Sequence, residues 1–441
     1  MTEQLEQQLD SFNAAERRQA LLELSRRVSA GEIVLPQTSN AVNLHCHSFF
    51  SYNSYGYSPS KFAWLARKAG LAVAGIVDFD VLDGLDEFLD AGQTVGLKTA
   101  VGIETRVFIP EFADKVINSP GEPGISYHMG MGFTNSDLMG EQKEFLLKLR
   151  KTSEQRNRDL TQRVNKYLKP VELDYDRDVL TLTPSGNATE RHICLAYARK
   201  AKQIFSDNIA LKKFWSEKLD IDITAASLPE SKDLLNAIRA KTMKQGGAGY
   251  VKPDTGSFPK LDEMNEFILA AGAIPVMTWL DGISDGEMDS ERLLDVEMRT
   301  GVAAINIIPD RNYTPGVKDQ KLANLYKIVE LAESRNLPIV VGTEMNSPGQ
   351  KFVDGFETAE LKPLVPIFLK GAHIIYAHSV LQQTCGLGYL SGWAKNNFST
   401  VAQKNEFFEK IGRLLNPANQ DIFTGLTGNA APDEILRKIG A

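Results

Sequence analysis

Cysteine is scarce in this chain: Cys46, Cys194 and Cys385 are the only three in 441 residues, far apart and odd in number. No CxxC pair occurs, so neither a disulfide framework nor a zinc ribbon is indicated. A membrane span needs a run of roughly 20 apolar residues, and no stretch reads that way. The start, MTEQLEQQLDSFNAAERRQALLELSRRV, is charged and helical, without an apolar signal core. These absences predict a soluble, cytoplasmic chain with no membrane partner. Excess positive charge is lacking too: 49 Lys and Arg stand against 56 Asp and Glu, a formal charge of −7. That argues against a nucleic-acid polymer bound through its phosphates. It leaves room for a phosphorylated small molecule if metal ions bring the positive charge.

What is present is a rhythm. Residues 1–40 read as an N-terminal helical extension, with Leu5, Leu9, Phe12, Leu21, Leu22 and Leu24 as a partial helical stripe. From residue 41, apolar runs ending in polar residues alternate with helical patterns: AVNLHCH, LAVAGIVDFD, LKTAVGIETRVF and ISYHMGMGF. SPSKFAWLARKAGL between the first two is a helix with Ser58 as cap and Pro59 in its first turn. The rhythm stops at 135–250, which is charged and largely helical and predicts an inserted helical subdomain. It resumes with AIPVMTW, VAAINIIP and LPIVVGTEM, each after a helical pattern. Seven strands alternating with helices predict an α/β fold with a parallel sheet. Polar residues gather at the C-terminal strand ends, so a seven-stranded parallel barrel over 41–134 and 251–350 is favoured over an open sheet. Residues 351–441 are a C-terminal extension containing GAHIIYAHS and the helical EFFEKIGRLL.

Histidine is rare, with six in the chain, yet His45, His47 and His128 fall at or near strand ends and a helix carries His192. Residues two apart on a strand face the same side, so His45 and His47 can address one ion. Neutral imidazole suits zinc, iron and manganese. Glu104, in GIET, ends the third strand, where a carboxylate can bridge two cations. A lone HxH pair is a weak signal; a series of strand ends carrying His or acid is a stronger one. Cys46, between the pair, should point the opposite way into the wall.

In order, LHCHS, VDFD, GIE, YHMGMGF and ERHICLAYA resemble the PHP domain, named for polymerases and histidinol phosphatase, and most of all its nucleotide-phosphoesterase subgroup. The resemblance covers about residues 41–347. It implies a distorted (βα)7 barrel with up to three metals at its C-terminal mouth. One metal would take His45, His47, Glu104 and the acid ending the last strand, here Glu344. A second would take Glu104, His128 and His192. Residues that would hold a third are replaced, by Phe79 in VDFD, Asn346 in GTEMN and Asn53 in the first loop. Trp279 stands where the relatives' fifth strand ends in histidine.

The resemblance therefore implies two divalent transition metals, zinc, manganese or iron, and a hydrolase acting on a small phosphorylated metabolite or nucleotide. Alternatives are a divergent metal hydrolase of a non-phosphate substrate and a non-catalytic binding module. Asp78 and Asp80 are candidates to orient a ligand or water, or else to make turn and cap bonds. Arg191 could hold a phosphate, Trp279 could stack on a ring, and Asn346 could donate to substrate. His373 and His378 read as structural, or alternatively as compensating ligands.

Overall fold

The apolar runs become seven strands of one sheet in chain order: β1 (Val42–Cys46), β2 (Val73–Phe79), β3 (Lys98–Phe108), β4 (Ile125–Met131), β5 (Ile274–Trp279), β6 (Ala304–Ile307) and β7 (Ile339–Val341). This computed structural model describes residues 2–224, 227–254 and 256–440. A parallel bridge from Cys46 to Glu344 joins the end of β1 to the residues after β7 and nearly closes the sheet into a barrel. Every residue of β1, β5, β6 and β7 is buried, which is why these strands read as unbroken apolar runs. Helices packed outside the barrel complete the α/β architecture. Ser58 caps the helix Pro59–Lys68, accepting from the Lys61 amide, and Pro59 needs no donor in that first turn.

One expectation is corrected: the sheet is mixed. β1–β2–β3 and β5–β6–β7 are parallel, but β4 runs antiparallel to both β3 and β5. A parallel return needs a crossover that carries the chain back along the sheet, usually a helix. Between β3 and β4 there is one 3-10 turn, Pro110–Phe112, followed by the turn-rich NSPGEPG. Gly124 completes the reversal at φ 77°, where a Cβ would lie 2.7 Å from the Phe108 ring.

Helices between 140 and 242 gather a separate apolar core around Tyr197, Trp215 and Ile238. They reach the barrel mouth through Asn187, whose amide donates to the Phe50 and Phe79 carbonyls. The long helix Val365–Cys385, in the C-terminal extension, lies at the other end. Its Gly371 touches the β7 backbone so closely that a Cβ would sit 2.0 Å from Ile339 O. The sequence reading found no span-length apolar stretch, whereas the segment Lys362–Cys385 is long and apolar enough to qualify; 72% of its apolar window is buried inside the fold. His378, on this helix, pairs with Gly132 O at 3.2 Å and accepts from the Tyr389 amide at 3.0 Å. His373 lies within reach of Lys98 at the start of β3. Both are therefore at the barrel floor, away from the strand ends that carry His45 and His47, and neither compensates for a ligand there.

Candidate metal centre

β1 delivers His45 and His47 to the barrel mouth, and β3 delivers Glu104. Glu104 Oε2 lies 3.5 Å from His45 Nε2 and 3.1 Å from His47 Nε2. One ligand atom from each of the three lies within 4.8 Å of the others, and all three residues are buried. Cys46, between the histidines, is fully buried, with Sγ 3.6 Å from Met345 Sδ.

Hydrogen bonds behind the rings decide what each Nε2 can do. Asn306 Nδ2 donates to Val340 O at 3.3 Å, so its Oδ1 is the acceptor facing His45 Nδ1 at 3.0 Å. His45 Nδ1 must therefore carry the proton. Ser51 Oγ donates to Asp78 Oδ1 at 2.7 Å, so it accepts from His47 Nδ1 at 3.0 Å. Each neutral ring is thus fixed with an Nε2 lone pair free. Both Nε2 atoms are buried without a hydrogen-bond partner among the described residues. A buried lone pair with no donor is costly, and two of them aimed at one carboxylate fit a divalent cation. Two imidazoles and a carboxylate suit zinc, manganese or iron.

Electrostatics point the same way. Burial pushes the Glu104 carboxyl up, but His45 and His47 outweigh it and hold the group at about 2. Burial disfavours a charged His45, yet Glu104 wins and raises its pKa. The pocket draws in positive charge. Asp78 is pushed up by burial, against the opposing bonds from Ser48 and Ser51. It takes the Ser48 amide at 2.8 Å and the Ser48 hydroxyl at 2.6 Å as well as Ser51, so it holds the first loop under His47 without touching the centre. Phe79 stacks on the His47 ring, with centroids 4.3 Å apart. Asn53 holds the same loop, donating to His47 O at 2.8 Å.

Glu344 stands beside the three. Its amide donates to His45 O at 2.7 Å and its carbonyl accepts from the His47 amide at 2.8 Å. Its carboxylate is turned onto Arg311 Nη2, at 3.2 and 3.4 Å, and Gln350 Nε2, at 2.9 Å. Burial raises the Glu344 carboxyl, but Arg311 outweighs it and the group sits below its ordinary value. Asp80 borders the cavity, with Oδ1 accepting from Thr105 Oγ1 at 2.6 Å. Asp80, Glu344 and Met345 all have positive φ, of 61°, 61° and 54°. Such backbone is unfavourable for residues with a Cβ and collects at functional sites.

Other sequence-derived candidates lie elsewhere. Strand alternation turns Tyr127 toward the cavity it lines and His128 outward. His128 Nε2 lies 2.6 Å from Asn265 Oδ1 and Nδ1 3.3 Å from Glu297 Oε2, on the helices Leu261–Ala270 and Ser290–Arg299 outside the barrel. His192 Nδ1 accepts the Thr189 amide at 3.1 Å, closing a capping box on the helix Glu190–Ile204. A neutral ring accepting at Nδ1 carries its proton on Nε2, so His192 is a donor there rather than a ligand. Burial lowers its pKa to about 3 and keeps it neutral. The structure therefore does not assemble the second metal site from Glu104, His128 and His192. Trp279 is fully buried and does not line the cavity, so it has no ring to stack on a substrate. Arg191 and Asn346 do line it; Arg191 bridges Asn236 Oδ1 at 2.6 Å and Ser347 Oγ at 3.1 Å.

Sequence reasoning missed Asn306, Ser51 and Arg311. Asn306 is the single polar residue within the run AINI, and Ser51 lies four residues after His47, so both carried a signal. Arg311 follows IIPD, an unremarkable turn.

Above the centre lies a cavity of about 450 Å³ between the barrel and the inserted helices. Seven Arg and Lys against five Asp and Glu line it, the reverse of the chain's overall balance. It adjoins a second cavity of about 500 Å³ through Arg106, Arg156, Leu160, Glu190 and Lys244.

No protein-family model and no curated protein matches the chain. Among solved structures it is similar to an amidohydrolase from Chromobacterium violaceum with bound sulfate and no metal, at 17% identity and TM-score 0.49 over 70% of this chain and 88% of that one. It is also similar to a candidate metal-dependent phosphoesterase from Bifidobacterium adolescentis, at 17% identity and TM-score 0.47 over 76% and 97%.

Proposed function

We propose that this protein is a metal-dependent hydrolase that holds one divalent transition metal on His45, His47 and Glu104 and acts on a small phosphorylated molecule. The observation that carries the reading is the pair of buried, unpartnered Nε2 atoms facing one carboxylate oxygen. Two separate sets of hydrogen bonds fix both rings with Nε2 as the free lone pair. A cation there supplies Lewis acidity, which lowers the pKa of water at the site and polarises a phosphoryl oxygen.

The chain's own residues do the rest. Asn306, Ser51 and Asp78 hold the imidazoles in register. Phe79 covers one face of His47 and keeps water from it. Asp80, at the cavity edge, adds a carboxylate to the wall beside the centre. Arg191 and the other cationic residues of the cavity wall attract and orient an anionic substrate. Asn346 adds a side-chain amide at the same wall.

The test is elemental analysis of the purified chain, then turnover of nucleoside monophosphates and aryl phosphates after loading with zinc, manganese or ferrous iron. The expected result is one metal per chain and phosphate release. A chain that binds none of these ions at micromolar concentration overturns the reading. A chain that binds one but cleaves only esters, lactones or amides overturns the phosphate assignment alone.

A further inference from the structure

Arg311 is the one cation that pairs directly with a carboxylate beside the centre among the described residues, and its geometry is unusual for a structural ion pair. Arginine and carboxylate commonly meet fork to fork, with two nitrogens on two oxygens. Here a single nitrogen, Nη2, faces both oxygens of Glu344, at 3.2 and 3.4 Å. Nε and Nη1 have no hydrogen-bond partner among the described residues, and the side chain, 42% exposed, lines the cavity. The turn that carries it, Pro309–Tyr313, follows β6 directly and is pinned: Lys321 Nζ reaches Thr314 Oγ1 at 2.9 Å and Asp281 at 2.8 Å, and Asn312 is fully buried. The guanidinium is thus held in place while most of its donors remain free.

Charge balance says what those donors are for. With the imidazoles neutral, Glu104 and Glu344 bring two negative charges to the centre, and one divalent cation only cancels them. Arg311 leaves the assembly one charge positive, which suits an anion. We infer that Arg311 is an anion-contacting residue: anchored on Glu344 through Nη2, it presents its free N–H groups to an oxyanion, phosphoryl or carboxyl, held at the barrel mouth. The inference rests on the proposed single-metal site, yet its test does not need turnover.

Inorganic phosphate is titrated calorimetrically into the full chain, metal-free and manganese-loaded, for wild type, Arg311→Lys and Arg311→Met, with bound manganese counted in each. Losing a charge-assisted contact should weaken phosphate binding roughly 10- to 100-fold in Arg311→Met. Arg311→Lys should recover part of it, and manganese should stay at one per chain in all three. Unchanged thermal unfolding checks that the variants fold. Phosphate affinity within twofold of wild type in Arg311→Met overturns the inference, as does a wild type with no measurable phosphate affinity in either state. Lost manganese with phosphate affinity kept would reduce Arg311 to a positioning residue for Glu344 and also overturn it. Should wild type bind phosphate through Arg311 but take up no metal, the hydrolase reading fails while the anion site stands.

Discussion

The mouth and the floor of the barrel each bury a pair of histidines, and only at the mouth do two unpartnered nitrogens converge on one carboxylate. At the floor, His378 spends both, one on Gly132 O and the other on the Tyr389 amide. At the mouth, His45 and His47 spend only Nδ1 and leave Nε2 unpartnered opposite Glu104. His128 and His373 also leave Nδ1 buried and unpartnered among the described residues, but each does so singly and away from the cavity. Neither residue type nor a single unpartnered nitrogen marks a ligand; two of them converging on one carboxylate do.

The sharpest way to break this comparison is to remove a ligand. Outer residues that orient a metal-bound histidine are worth about 10- to 100-fold in affinity, so His47→Ala should cost more than roughly 100-fold and abolish turnover. Equilibrium dialysis against zinc checks it. His128→Asn, by contrast, should leave metal affinity within a few-fold; an equal loss there would restore His128 to the centre and sink the distinction.

Acid should act on the histidines that burial keeps neutral. Burial lowers the His378 pKa to about 4, from an ordinary 6.5. Between those values the unfolded chain binds a proton that the folded chain refuses, so stability falls as pH drops through that window. The loss reaches roughly 3 kcal/mol per such group once both values are passed. His373, lowered to about 4 chiefly by burial, and His192, lowered to about 3, add slopes of the same sign. Urea unfolding at pH 7 and pH 4.5 should show this, and His378→Gln should flatten the slope while lowering stability at pH 7. An unchanged slope would mean that His378 is protonated in the fold.

Ser51→Ala is expected to be milder than loss of a ligand. It removes the acceptor that fixes the His47 tautomer, which should weaken metal binding about 10- to 100-fold. Zinc affinity measured beside Ser48→Ala isolates the effect, because Ser48 bonds Asp78 but neither ring nitrogen.

Much of this was legible beforehand. All seven strands show as buried apolar runs, and His45, His47 and Glu104 lie at strand ends that the alternation places at one mouth. Two things were not legible for a shared reason: a run of side chains reports burial but neither direction nor face. β4 reads as a strand either way round, and only the helix-free NSPGEPG segment before it hints at a reversal. Within YHMGM, a shift of one residue exchanges inward and outward sides. Gly130 held the clue, since a Cβ there would lie 2.8 Å from Ile268 on an outer helix, and His128 shares that side. His192 was a histidine at a helix start, where its place three residues after Thr189 also fits a cap.

Cys46 offers the smallest expected effect and the finest division of the mouth. It lies between two ligands in sequence, and its thiol is pushed well above its ordinary pKa, chiefly by burial. A thiol so hard to ionise is a poor ligand. Its side chain packs on Met345 and so fills the wall on the side away from Glu104. Cys46→Ala should therefore cost about 1 kcal/mol in stability through the small void it leaves, and change zinc affinity less than threefold. The pair of measurements matters more than either alone. If zinc affinity falls with stability intact, the alternation that sends His45 and His47 to one side and Cys46 to the other does not hold at the strand end. The three neighbours would then have to be treated as one ligand cluster.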